Sequence, residues 1–131
     1  MTDSPAELPQ GPRSAAISNM VVRFVSAYTG RGPTNARTHI SEDLVTVVLK
    51  DTLTKGERSL VRDGREALVL DMRKAFQNTM REDLVAGVEA IIGRQVVAFM
   101  SDNHIDPDFA VESFVLEPVS STSTEREQNS G

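Results

Sequence analysis

The chain has 131 residues, a formal net charge of −5 and no cysteine. That length sets one domain with a sizeable core, and the missing cysteine excludes disulfides and thiolate chemistry. The acidic balance disfavours nucleic acid, which needs a dominant basic surface, and no run approaches the ~18 apolar residues of a membrane-spanning helix.

Residues 1–12 and 119–131 read as disordered tails, since neither holds the apolar side chains needed to offset chain entropy. A single ordered domain is expected over residues 13–118. Its first element is a helix, with Ile17, Met20, Val21, Phe24, Val25 and Tyr28 in one stripe. Ser14 is its expected cap. Gly30 stands where a left-handed C-cap belongs, and Pro33 forbids continuation. Ala36 to Ile40 then alternates, with Ala36 and Thr38 on one side and Arg37 and His39 on the other. Leu44 to Lys50 is aliphatic and β-branched. With Ser41-Glu42-Asp43 between them, the two runs predict a β-hairpin. Neither face of the second strand is polar, so helices are expected on one face and something else on the other.

Thr54-Lys55-Gly56-Glu57 is a capping box that opens a short helix to about Arg62. Asp63-Gly64 punctuates the chain. Glu66 to Ile92 is a long helix whose stripe contains Leu68, Met72, Ala75, Phe76, Met80, Leu84, Val88, Ile91 and Ile92. It reaches ~40 Å at ~1.5 Å per residue, against a radius of gyration of ~14 Å for such a domain. The helix is therefore expected to overhang the domain or bend at Gly87, and an overhanging stripe needs a partner. Gln95 to Met100 and Ala110 to Leu116 are the last strands, with Ser101 to Asp108 as their loop. The order helix, hairpin, short helix, long helix, hairpin predicts an α+β two-layer sandwich with a four-stranded, mainly antiparallel sheet.

Two segments are candidates for chemistry. Around Gly30, Arg31, Gly32 and Arg37, glycine amides and guanidinium groups suit a small oxyanion or a partner's carboxylate. The same turn has structural duties, and its arginines can instead pair with Glu42 or Asp43. It lacks the ending of a phosphate loop. The second candidate, Asp102, His104, Asp106 and Asp108, has donors for a divalent metal, but its Asp, Asn and Pro also build a turn. His39 and His104 are the only histidines. With no serine elbow and no HExxH pair, no catalytic set is expected, nor a cofactor or metal. A metal-dependent domain using His39, His104, Asp102 and Asp106 is the lesser alternative.

The order of GRGP, TKGERSL, the long helix, IIGRQVVAFMSD and ESFVLEP resembles the MpsC-like family of bacterial domains. The resemblance covers about Ile17 to Pro118, at Gly30, Gly32, Pro33, Glu57, Leu60, Arg73, Gly93, Asp102 and Phe114-Val115-Leu116. It implies a small soluble domain attached to a Na+-translocating, membrane-potential-generating system, and brings no catalytic residue set. The expectation is a cytoplasmic, non-catalytic accessory or regulatory module. It forms homo-oligomers or a structural assembly, and it meets a membrane transporter subunit without entering the membrane.

Overall fold

A computed structural model describes residues 11–33 and 35–118. The two expected tails lie outside them, except for Gly11 and Pro12. The elements are helix α1 (Pro12–Thr29), strands β1 (Asn35–Ser41) and β2 (Leu44–Lys50), helices α2 (Lys55–Arg62) and α3 (Glu66–Ile92), and strands β3 (Val96–His104) and β4 (Phe109–Leu116). The strands form one antiparallel sheet in the order β1-β2-β4-β3. This is the α+β arrangement expected.

The helix ends follow local chemistry. α1 begins two residues before the expected Ser14 cap, because Pro12 suits the first helical position, where its missing N–H costs nothing. Gly30 ends α1 at φ 80°, and its N–H donates to the Ser26 carbonyl at 2.9 Å. The capping box is complete. The Glu57 N–H donates to Thr54 Oγ1 at 3.1 Å, and the Thr54 N–H donates to Glu57 Oε1 at 2.8 Å.

The core lies between one sheet face and the pair α1 and α3. Val45, Val47 and Leu49 of β2 and Ala110, Phe114 and Leu116 of β4 point inward. They meet Ile17, Val21 and Val25 of α1 and Met80, Leu84 and Val88 of α3. β1 alternates as expected, with Thr38 buried against Ser18 and His39 exposed. On β2 the helices cover only the Val45–Leu49 side. Leu44 stays 41% exposed on the other, so the covering expected there is absent among the described residues.

Two other expectations are corrected. β3 runs to His104, four residues past Met100, and the hairpin loop shrinks to Ile105–Asp108. Ser101 and Asn103 turn inward to polar partners, so their hydroxyl and amide support the strand rather than end it. In α3, the buried positions of the first half are Val69, Arg73 and Gln77. The apolar ridge Leu68, Met72 and Phe76 lies one residue to the side, with Leu68 39% exposed. α1 meets α3 from Phe76 to Ile91, and among the described residues Leu68 stays exposed and Met72 half-buried.

Gly87 is where α1 approaches α3 closely. A Cβ there would come 2.6 Å from Met20 Sδ and 2.9 Å from its Cγ. Gly87→Ala gains helix propensity of ~1 kcal/mol but overpacks the buried Met20 by more. A net loss of ~1 kcal/mol is expected in thermal melting. A stabilised variant would show that the Met20 side chain re-packs into the adjoining cleft.

Candidate functional site

The richest polar constellation lies beneath α2 and the first half of α3. Helical spacing puts Arg73 and Gln77 one turn apart on the inward face of α3. Strand alternation aims Ser101 and Asn103 of β3, and Glu112 of β4, at the same layer. Thr52 follows β2, and Glu57 comes from the capping box.

Arg73 is the hub. Its Nη2 donates to Thr52 Oγ1 at 2.7 Å, its Nη1 to Glu57 Oε1 at 3.1 Å, and its Nε to Asn103 Oδ1 at 3.0 Å. Asn103 and Gln77 exchange two hydrogen bonds, each 3.1 Å. The Thr52 hydroxyl donates to Asp108 Oδ1 at 2.9 Å, and the other oxygen of Asp108 accepts from the Leu53 N–H at 2.9 Å. Glu57 thus both caps α2 and pairs with Arg73, although it is only 3% exposed. No buried side-chain N or O among the described residues lacks a partner.

Glu112 sits deeper, 1% exposed, and accepts from the Ser101 hydroxyl. Burial penalises its charged form and raises its pKa to about 7, against smaller opposing pulls from Ser101, Arg73 and Gln77. A cavity of about 10 Å3 adjoins it, bounded also by Thr29, Arg73 and Gln77. That is room for about one water.

A second group lies at the rim. Arg31 donates to the Asp51 carbonyl and, at 2.8 Å, to Asp51 Oδ2. Arg58 binds the other oxygen of Asp51 and approaches Asp108 Oδ2 at 3.5 Å. Arg31 holds the Asp51 carboxyl below its ordinary range, with Arg58 adding to the effect. Beside this group, a cleft of about 350 Å3 opens between α2 and the β3–β4 loop. Leu53, Val61 and Ile105 give it apolar walls, and Arg58, Arg62, Asp106 and Asp108 give it charge.

The residues singled out in the sequence are dispersed. Gly30 is the C-cap of α1. Gly32 lies against α1, where a Cβ would come 2.4 Å from Ser26 Oγ. Arg31 is engaged with Asp51, not with Glu42 or Asp43; Asp43 instead binds Arg94 at 2.5 Å. Arg37 lies opposite Val48, on the sheet face away from the helices. His39 and His104 occupy the two edge strands, three strand spacings or ~14 Å apart. They do not meet, and no group of three or more metal-ligating side chains occurs among the described residues. Asp102 and His104 lie within β3, while Asp108 turns toward Thr52, so the expected loop is not one cluster.

Sequence reading missed the Arg73 network. Signals for it were present. Glu112 occupies an inward position of the alternation Ala110, Phe114, Leu116, and Arg73 and Gln77 stand at helical spacing between Val69 and Met80. A charge at a core position of either period calls for a buried partner.

Among the described residues no helix is long and apolar enough to cross a membrane. Neither the curated proteins nor the solved structures contain a match. The family described as "Na+-translocating membrane potential-generating system (MpsC)" matches over residues 10–118. With the domain matched from the start of α1 to the end of β4, the chain belongs to the MpsC family.

Proposed function

We propose that the chain is a non-catalytic binding module, a cytoplasmic accessory subunit of the membrane-potential-generating system that self-associates and engages a transporter subunit. One observation carries this reading. The buried polar groups commit their hydrogen bonds to one another, whereas among the described residues Leu44 and Met100 stand exposed on the open sheet face and Leu68 on α3, beside half-buried Met72. A satisfied interior network holds a fold together; exposed apolar patches are what partners cover.

The ridge is the surface assigned to the transporter subunit. Affinity capture of the tagged chain from native membranes in mild detergent is expected to recover that subunit. Leu68→Glu with Met72→Glu is expected to reduce recovery several-fold. Recovery of no transporter subunit by the native chain would remove the accessory reading, and equal recovery by the variant would move the contact elsewhere.

A small oxyanion at the Gly30–Arg37 turn is a second reading. The guanidinium groups of Arg31 and Arg58 converge on the single carboxylate of Asp51. A bicarbonate or a partner's carboxylate entering there exchanges with Asp51. Arg31→Ala with Arg58→Ala should abolish any stabilisation by bicarbonate. A native chain that melts alike with and without bicarbonate would contradict this reading.

A further inference from the structure

The charges lining the cleft of about 350 Å3 between α2 and the β3–β4 loop fall into two classes. Arg58 and Asp108 belong to the fold. Arg58 pairs with Asp51 and approaches Asp108, which also accepts from the Thr52 hydroxyl and the Leu53 N–H. Arg62 and Asp106 are different. Both are exposed, and neither side chain forms a hydrogen bond or ion pair among the described residues. Arg62 lies in the last turn of α2 and Asp106 in the facing loop. The cleft therefore has one uncommitted cation and one uncommitted anion on opposite walls.

The rest of the lining is aliphatic. Leu53 is 4% exposed, and Val61 and Ile105 are half-buried. Small-molecule sites combine apolar walls with a few polar groups that set orientation, and this cleft falls at the small end of their ~300–1,000 Å3 range. A matching ligand needs a carboxylate for the forked donors of Arg62, a cation for Asp106 and a short alkyl body for the walls. An alkyl carboxylate would leave Asp106 beside a second negative charge. An alkylamine would leave Arg62 without a partner. A free aliphatic α-amino acid carries all three groups in one small molecule.

We propose that this cleft binds a free aliphatic α-amino acid of the leucine type, with its carboxylate on Arg62, its ammonium on Asp106 and its side chain against Leu53, Val61 and Ile105. Both charges face solvent, so each ionic contact is weak. A ligand of this size in an open cleft binds with a Kd on the order of 1 mM. The site goes beyond the accessory reading, and its failure would leave that reading untouched.

An NMR titration of the full 15N-labelled chain with L-leucine tests it. Saturable shifts are expected at the amides of Val61, Arg62, Ile105 and Asp106. 4-Methyl-2-oxopentanoate, which lacks the ammonium, and isoamylamine, which lacks the carboxylate, should each bind about fivefold more weakly. Arg62→Ala should weaken leucine by a similar factor and leave isoamylamine unchanged. Asp106→Asn should weaken leucine and leave the oxo acid no weaker. Both substitutions are at exposed positions, and the dispersion of each spectrum reports whether the variant is folded. A native spectrum unchanged at leucine roughly tenfold above that Kd overturns the site, as do shifts centred elsewhere. Equal binding of leucine and its two analogues overturns the assignment of Arg62 and Asp106.

Discussion

Arg73→Ala is expected to lower stability by about 3–5 kcal/mol, the range for removing one partner of a buried ion pair. Tm should fall by roughly 10–20 °C for a domain of this size. The loss has a specific origin. Without the guanidinium, the Glu57 carboxylate remains 3% exposed with no cation beside it, and Thr52 and Asn103 each lose a donor. Glu57 also caps α2, so the damage spreads to that helix. A second substitution separates the ion pair from the packing. Arg73→Met with Glu57→Gln removes both charges, keeps most of the volume and leaves a glutamine able to cap. Because a buried pair contributes little net over well-packed neutral groups, the double variant should regain much of the loss. Urea denaturation of the native chain, Arg73→Met, Glu57→Gln and the double variant closes a mutant cycle that reads the coupling. A loss below ~1 kcal/mol for Arg73→Ala would show that water reaches the network and that Arg73 is not its hub.

The second large effect is a pH dependence centred on Glu112. Its folded pKa is raised to about 7 from an ordinary 4.5. Below the ordinary value the carboxyl is protonated in both states, and its contribution to stability is fully present. Between the two values the folded chain holds a proton that the unfolded chain releases, so stability falls as pH rises. Above about 7 the contribution is gone. The total is about 3 kcal/mol for that shift, as an upper figure. The groups facing Glu112 are Arg73 and Gln77 from α3 and Ser101 from β3, and none of their pulls outweighs burial. Glu112→Gln removes the titration while keeping an oxygen for the Ser101 hydroxyl. The variant should therefore exceed the native chain in stability at pH 8, with the advantage shrinking toward pH 4.5. A stability difference constant across that range would mean that Glu112 titrates as an ordinary carboxylate.

Much of the fold was legible because local chemistry and hydrophobic period agree. Gly30, Pro33, the Thr54–Glu57 box and Gly93 mark helix ends with residues whose backbone or side-chain demands are local. The β1 alternation likewise needs no distant information. What was not legible depends on contacts across the chain. Ser101 to His104 read as a loop because Ser, Asp and Asn favour turns. They form strand because Glu112, Arg73 and Gln77 lie within reach of the inward pair. The first half of α3 misled in the same way. Its apolar residues suggested the buried face, but Arg73 and Gln77 have buried partners on β3 and before α2, and those partners rotate the helix. Asp51, which engages Arg31, stands 20 residues away from it in the chain. Glu42 and Asp43 were nearer in sequence but are held elsewhere in the fold. Of the candidate site, the turn residues were visible as composition; the network that organises that end of the domain was not.

These contacts divide the molecule into an interior whose polar groups are mutually satisfied and a surface that leaves Leu44, Leu68 and Met100 exposed. Oxidative footprinting of the protein alone and in its native-membrane assembly tests that division most directly, because methionines report on both parts. Met20 and Met80, at 4% and 3% exposure, should be unreactive in both states. Exposed Met100 should react readily in the dilute chain and half-buried Met72 more slowly, and both should lose most of that reactivity on assembly. Protection confined to the Arg31–Asp51–Arg58 rim, with Met72 and Met100 unchanged, would contradict the account.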